Sequence, residues 1–232
     1  MPGPGGQQLV ADRLEQLGQS LPAAAAPTRN YPSRQPFGDG CPYTPFFNTL
    51  QQMVSNEQLP VPIVVGETGC LVRLINPPFE MLDVKYSMGS SIGIASGLAR
   101  SGADEKILAV TGDSAFLHTG LNGLVNAAHH QPDITVVVMD NETVAMTGFQ
   151  VPAGAGVTAM GRQAEPIYPE KLASAMGIDD VAVVDAFDVD AIAQALQAAF
   201  NKKGLSFIVV RGRCPYIENK RCQVTPSISD RS

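Results

Sequence analysis

Acidic residues follow two apolar runs in the middle of the chain. The run ILAVTG is followed by Asp113, and the run ITVVVMD ends at Asp140, with Asn141 next. Each run has the length and composition of a buried strand. Because ligands of parallel α/β sheets bind outside the carboxyl ends of the strands, Asp113 and Asn141 can converge on one point. Carboxylate and amide oxygens next to a bound phosphate are ligands that magnesium prefers, so these two residues favour a magnesium site.

The residues after Asp113 enter a predicted helix. The N-terminus of a helix attracts anions, and its free backbone N–H groups can hold a phosphate. The alternative is that Asp113 only caps this helix and that Asp140 and Asn141 form a turn, which are the usual roles of Asp and Asn. The pairing of two strand ends favours the metal and phosphate site.

The elements that must position these residues alternate between strand and helix. The strands are apolar on both faces, which predicts an α/β fold with a mostly parallel sheet and helices on both faces. The predicted strands are 61–66, 106–112, 134–140, 180–185 and 206–212, and the predicted helices are 87–102, 117–130, 168–177 and 188–204.

Three segments differ in composition. Residues 1–40 are rich in Pro, Gly, Ala and Gln and predict an extended N-terminal arm. Residues 41–213 carry the α/β pattern and predict one domain, for which 232 residues are long enough. Residues 214–232 predict an irregular C-terminal tail.

Charge and hydropathy exclude several classes of protein. The net charge of −6 leaves no basic surface for nucleic acid. No apolar run approaches the roughly 18–20 residues of a membrane span. The N-terminus has no basic and apolar signal pattern, so a cytoplasmic location is expected. In that reducing compartment the four cysteines are better candidates for free thiols or metal ligands than for disulfides.

Several longer segments resemble the 2-oxoacid:ferredoxin oxidoreductases, and most of all the indolepyruvate type. GDS at 112–114 and DNETVAMTGFQ at 140–150 together resemble the thiamine diphosphate fingerprint. Further matches are GETGC (66–70), PPFEMLDVKYSMGSSIGIASGLA (77–99) and GDSAFLHTGLNGLVNA (112–127). The resemblance covers about residues 41–160 well. It implies that residues 41–213 form the diphosphate-type domain of the thiamine diphosphate-binding fold.

The resemblance also implies which residues bind the metal and which bind the cofactor. Magnesium would be bound by the side chains of Asp113 and Asn141 and the backbone carbonyl of Thr143. The remaining cofactor-binding residues would be Gly112 and Ser114 at the diphosphate, and Met88, Gly89, Ser90, Ser91 and Glu67 along the rest of the cofactor. His118 matches a family histidine and is the one candidate catalytic residue. The alternative, that His118 is only a solvent-facing residue of the helix, is equally open.

Half of the expected site is missing from the chain. The family holds the aminopyrimidine of the cofactor in a second α/β domain, whose glutamate activates the ring. The chain has room for one such domain. Glu67, Glu80 and Glu142 all lie within the diphosphate-type region, so the activating glutamate is expected on a partner subunit. The apolar, Gly-rich loop 142–156 is expected to face that partner.

The cysteines raise the question of an iron–sulfur cluster. The resemblance implies a four-iron four-sulfur cluster at Cys41, Cys70 and Cys214, with Cys222 as a further candidate. Thr44 stands where the family has a second cysteine, and Phe46 and Phe47 replace its His-Arg pair. The alternative is that the four thiols are simply buried.

The function implied by the resemblance is that of the thiamine diphosphate-binding subunit of a 2-oxoacid oxidoreductase. Such an enzyme decarboxylates a 2-oxoacid oxidatively, passes electrons through iron–sulfur centres on partner subunits, and transfers the acyl group to coenzyme A. Two alternatives stay open: a subunit of a non-oxidative thiamine-dependent decarboxylase, and a catalytically silent scaffold.

Overall fold

Six parallel strands form the centre of the protein. A computed structural model describes residue 12 and residues 37–217. The strands are β1 (Ile63–Gly66), β2 (Val84–Lys85), β3 (Ile107–Gly112), β4 (Ile134–Asp140), β5 (Val181–Asp185) and β6 (Leu205–Arg211). Their order in the sheet is β2-β1-β3-β4-β6-β5, and every neighbouring pair is parallel. The predicted fold class is therefore confirmed.

Five longer helices cover the sheet. They are α1 (Tyr43–Ser55), α2 (Ser91–Arg100), α3 (Leu121–His130), α4 (Pro169–Ala175) and α5 (Val189–Asn201). Helices α1 and α5 pack on one face, and α2, α3 and α4 pack on the other. Between β3 and α3 the chain forms a helical turn (Asp113–Ala115) and a π-helical segment (Phe116–Gly120). Short 3₁₀ turns are Cys70–Ile75, Ala145–Thr147 and Ala153–Ala155.

Strand β3 shows how the sequence builds two cores. Leu108 and Val110 lie in the core under α1 and α5, whereas Ile107 and Ala109 lie in the core under α2 and α3. Successive side chains of a strand point to opposite faces, so a continuous apolar run is buried on both. Strand β5 is an exception: it is an edge strand, and Val183 is 47% exposed.

Helix α1 was absent from the predicted elements. Its sequence, YTPFFNTLQQMVS, follows Pro42 and contains Pro45, and no side chain caps its N-terminus. Both prolines lie at the start of the helix, where a missing N–H is tolerated. The apolar side of the helix is buried, so tertiary packing stabilises what the local signals did not indicate.

The ends of the described region pack into the domain. Phe37 is buried, and its ring lies 6.0 Å from that of Phe47 and 5.6 Å from that of Phe79. Cys214 and Ile217 are also buried. Residues 1–36 of the predicted arm, apart from residue 12, and residues 218–232 of the predicted tail lie outside the described residues.

No helix in the described part of the chain is long and apolar enough to cross a membrane.

Candidate functional site

The ends of β3 and β4 bring the predicted metal ligands to one edge of the sheet. Gly112 pairs with Met139 in the parallel register, so Asp113 and Asp140 follow side by side. Asp113, Asn141 and Thr143 are each only 4% exposed. Three polar residues are therefore buried where ligands of such sheets bind.

Asp113 has a carboxylate oxygen without a partner. Its Oδ1 accepts a hydrogen bond of 2.7 Å from the Ser114 N–H. Its Oδ2 and the Ser114 hydroxyl are buried with no hydrogen-bond partner among the described residues. Burial, and then the neighbouring Asp140, raise the pKa of Asp113 to about 7, although backbone N–H groups of Ser114 and Glu142 oppose the rise. Buried polar atoms normally have partners, so this oxygen fits a metal ligand.

Asn141 and Thr143 are held in place by the backbone. The Asn141 Oδ1 accepts a hydrogen bond of 3.2 Å from the Thr143 N–H. The Asn141 carbonyl accepts another, of 3.1 Å, from the N–H of Cys214. The chain after β6 therefore fixes the loop after β4.

Asp140 is paired elsewhere, although it ends the same strand. Its Oδ2 lies 2.8 Å from Nε of Arg211, whose other end lies 2.9 Å from Glu170. The arginine therefore forms ion pairs with both carboxylates, which share its single positive charge. Sequence reasoning did not single out Arg211 or Glu170, which are far apart in the sequence and meet only through the fold.

Glu67 links three parts of the site. It is fully buried, and its Oε2 accepts a hydrogen bond of 2.6 Å from Gly89 N–H. Its Oε1 accepts hydrogen bonds from the Thr111 hydroxyl (2.7 Å) and from the Gly112 N–H (3.3 Å). Burial raises the pKa of Glu67, and these hydrogen bonds oppose the rise. Glu67 thus joins the end of β1 to the turns that begin at Gly89 and Gly112.

Gly89 lies where the turn before α2 comes close to the π-helical segment. Its φ is +72°, a left-handed conformation that favours glycine. A Cβ on Gly89 would lie 2.0 Å from the Thr119 hydroxyl and 2.6 Å from the Gly120 nitrogen. The Thr119 hydroxyl also donates a hydrogen bond of 3.0 Å to the Met88 carbonyl. Residues 87–90 therefore form a turn before α2, where the sequence predicted helix.

The π-helical segment 116–120 makes this approach possible. Such segments are rare and are frequent at functional sites. It places Thr119 and Gly120 against Gly89. His118 lies on the same segment and is exposed. Of the other predicted residues, Ser91 is buried, Ser90 is half-buried and the Met88 side chain is 45% exposed.

Three cysteines lie in the described part of the chain, all of them free. Burial, and then the charges of Cys41 and Cys214, raise the pKa of Cys70 to about 11. The loops of Cys41 and Cys214 also pack together, since a Cβ on Gly40 would lie 3.7 Å from Pro215. Within residues 37–217 no three His, Cys, Asp or Glu side chains are close enough to hold a single metal ion.

No described cysteine stands at the fourth position of the cluster that the resemblance implies. Thr44 has a buried hydroxyl without a hydrogen-bond partner in the described region. Cys222 lies outside the described residues. The described residues therefore show three free thiols, and an unpaired threonine hydroxyl at Thr44 in the first turn of α1, three residues after Cys41.

Tyr43 is a site residue that sequence reasoning missed. Its hydroxyl lies 3.6 Å from the position of a Cβ on Gly112, next to Asp113. Burial raises the pKa of Tyr43 well above 10, and the neighbouring Cys70 and Asp113 add to the rise. The only sequence signal was a tyrosine directly after Cys41 and Pro42, and a single tyrosine does not indicate a site.

Comparison with known proteins identifies the family. Residues 67–210 match the family described as thiamine pyrophosphate enzyme, C-terminal TPP binding domain. The matched region is more than half of the chain and contains both strand ends of the site. The chain therefore belongs to this family, whose cofactor, thiamine pyrophosphate, is also called thiamine diphosphate.

Individual relatives are subunits of 2-oxoacid oxidoreductases. The chain is 33% identical to indolepyruvate oxidoreductase subunit IorA of Archaeoglobus fulgidus, over 75% of this chain and 28% of the relative. It is 36% identical to IorA of Pyrococcus horikoshii over the same shares. It is 29% identical to 2-oxoglutarate synthase subunit KorB of Methanothermobacter marburgensis, over 66% of this chain and 55% of the relative. The predicted resemblance is confirmed, and the chain spans just over a quarter of the length of the IorA relatives.

A solved structure shares the fold. The 2-oxoglutarate:ferredoxin oxidoreductase from Magnetococcus marinus, with 2-oxoglutarate, coenzyme A and succinyl-CoA bound, superimposes with a TM-score of 0.71. The alignment covers 88% of this chain and 74% of that chain at 19% identity.

Proposed function

We propose that the chain is the thiamine diphosphate-binding subunit of a multi-subunit 2-oxoacid oxidoreductase. The observation that carries this proposal is the unpaired, buried Oδ2 of Asp113, beside Asn141 and Thr143 within the family match. The oxidoreductase class rests on the IorA and KorB relatives.

The site residues have separate roles in the proposal. Mg²⁺ is held by the side chains of Asp113 and Asn141 and the backbone carbonyl of Thr143, an all-oxygen set that suits this ion. Gly112 and Ser114 lie along the diphosphate, and the unpaired Ser114 hydroxyl is available to it. Residues 88–91 line the rest of the cofactor.

Bound thiamine diphosphate supplies a nucleophilic carbon and an electron sink for decarboxylation of a 2-oxoacid. The residues of this chain bind and orient the cofactor. Glu67 fixes the two turns on which the cofactor lies, through hydrogen bonds from Gly89, Thr111 and Gly112. Because Glu67 already accepts three hydrogen bonds, the glutamate that activates the aminopyrimidine is assigned to a partner subunit.

Exposed apolar side chains support such a partner. They lie in the loops that follow β2 and β4, at the carboxyl edge of the sheet. They are Tyr86 (69% exposed), Met146, Val151 and Met160 (86% exposed). Large exposed apolar patches normally mark interfaces. The partner would complete the cofactor pocket and the site for the 2-oxoacid and coenzyme A, which are bound in the Magnetococcus marinus enzyme.

The proposal includes a four-iron four-sulfur cluster. Cys41, Cys70 and Cys214 would each supply a thiolate, with Cys222 or the unpaired Thr44 hydroxyl at the fourth position. Three free thiols in one region fit a reducing, cytoplasmic setting. From this cluster, electrons would pass to centres on partner subunits.

The alternative activity is non-oxidative decarboxylation by a thiamine-dependent enzyme. The observation that favours it is Thr44, which leaves the cluster with three described thiols. Replacing Cys70 with serine separates the two. In an oxidoreductase, the Cys70→Ser complex should lose iron and electron transfer to an external acceptor, while decarboxylation is less affected. Iron content by elemental analysis and visible absorbance measure the loss. Wild-type complex without iron would favour the alternative.

The Asp113→Ala variant tests the proposed site. In the complex purified with its partner subunits, it should abolish Mg²⁺-dependent retention of thiamine diphosphate, because it removes the charged ligand. The fold should survive, since Asp113 contributes no apolar packing. Cofactor content after gel filtration is the measurement, and Asp104→Ala, at an exposed position, is the control. Wild-type stoichiometry in Asp113→Ala would show that the assignment is wrong.

A further inference from the structure

The ring of Tyr43 is fixed by aromatic packing. Tyr43 is the first residue of α1 and is 3% exposed. Its ring centroid lies 5.3 Å from that of Phe37 and 6.4 Å from that of Phe47. These contacts hold the ring on one side, so the position of the hydroxyl at its other end is determined by the fold.

The hydroxyl points to the turn between β3 and the following helical residues. A Cβ built on Gly112 would lie 3.6 Å from this hydroxyl. Because Gly112 has no side chain, the Tyr43 hydroxyl lies close to the backbone of the turn. A buried tyrosine hydroxyl usually has a hydrogen-bond partner.

Two polar atoms at this turn lack hydrogen-bond partners among the described residues. They are the Asp113 Oδ2 and the Ser114 hydroxyl. The Tyr43 hydroxyl, which comes from α1, therefore lies at the same turn as two unpaired polar atoms from the end of β3. A carboxylate accepts a metal ion, whereas a phenol is neutral at physiological pH and donates its O–H. The phenol thus complements the anionic part of a ligand.

We propose that Tyr43 is a cofactor-binding residue that donates a hydrogen bond to a phosphate oxygen of thiamine diphosphate at the Gly112–Ser114 turn. This inference rests on the proposed function. It extends the site to α1, which comes from a different part of the chain than the family match at 67–210.

The Tyr43→Phe variant tests the inference in the complex with its partner subunits. Phenylalanine keeps the ring packing and removes only the O–H. Affinities for thiamine diphosphate and for inorganic pyrophosphate, each with Mg²⁺, are measured by calorimetry. Both should fall by the same factor, about ten- to hundredfold, as for a lost hydrogen bond to a charged group. The melting temperature without ligand should be unchanged, because the ring packing is kept. Tyr168→Phe, whose ring lies beside Lys171, is the control and should bind as wild type.

Other results would overturn the inference. Unchanged affinity for both ligands in Tyr43→Phe, with binding lost in Asp113→Ala, would remove Tyr43 from the site and leave the proposed function standing. Wild-type binding by Asp113→Ala as well would overturn the proposed function itself. A Tyr43→Phe chain that loses stability or assembly without ligand would assign the hydroxyl to the fold.

Discussion

Buried polar groups mark the site at the scale of single residues. Asp113, Asn141, Thr143 and Glu67 are at most 4% exposed in a protein whose other deeply buried residues are mostly apolar. Burying such groups costs free energy unless they are hydrogen-bonded or bind an ion. Glu67 is satisfied by protein donors, whereas Asp113 is satisfied only in part. This difference is the basis of the proposal that Glu67 builds the site whereas Asp113 binds the ligand.

The Glu67→Gln variant should destabilise the protein. The side chain would keep one carbonyl oxygen but place an NH₂ group against N–H and O–H donors. We expect the free energy of unfolding to fall by about 1–3 kcal/mol, the usual cost of a broken buried hydrogen bond. Chemical denaturation measures it, with Glu105→Gln at an exposed position as the control. Equal stability of the two variants would show that Glu67 does not hold the turns.

At the scale of elements, the site depends on contacts between the turns that follow neighbouring strands. The turn at 87–90 contacts the π-helical segment 116–120 through Gly89, and Glu67 ties the same turn to β3. These contacts join the ends of three neighbouring strands. The loops at the site are therefore positioned by the rigid sheet, which is the usual arrangement in parallel α/β proteins.

Gly89→Ala should disrupt this contact. The added Cβ would overlap Thr119 and Gly120 in a backbone conformation that alanine disfavours. We expect a loss of about 1–3 kcal/mol in the free energy of unfolding, typical of overpacking. Gly97→Ala is the matched control: it lies on the exposed side of α2 with no atom within 4 Å, and should gain about 0.5–1 kcal/mol. Thermal melting of both variants gives the comparison. Equal stability of Gly89→Ala and Gly97→Ala would contradict the close contact of Gly89 with Thr119 and Gly120.

Much of the fold could be predicted from the sequence because the strands are continuous apolar runs. ITVVVMD, for example, was predicted as 134–140 and forms β4 over those residues. Helix α1 was missed because its prolines and uncapped start are local signals against a helix, and only tertiary packing overrides them. The two-residue β2 is too short to show a pattern.

The site was predictable to the extent that it follows strand ends. Asp113 and Asn141 follow apolar runs, so the topology alone brings them together. The hydrogen bonds of Glu67, the pairing of Arg211 with Asp140 and the position of Tyr43 depend on contacts between residues distant in the sequence. No spacing rule indicates such contacts.

At the scale of the whole molecule, several apolar side chains are exposed in the loops that follow the carboxyl ends of the strands. Tyr86 and Met160, from two separate loops, are the most exposed aromatic and methionine side chains there. The family match covers a cofactor-binding domain, and the chain spans 28% of the IorA relatives. These features agree with the proposal that a partner subunit completes the cofactor site.

The most direct test of this account is 2-oxoacid decarboxylation by the purified chain, alone and after mixing with its partner subunits. Light scattering establishes that the first sample contains no other subunit. With Mg²⁺ and thiamine diphosphate present, we expect no turnover by the chain alone and restored turnover in the mixture, because the proposal assigns the activating glutamate to the partner. Measurable decarboxylation by the isolated chain would contradict the account.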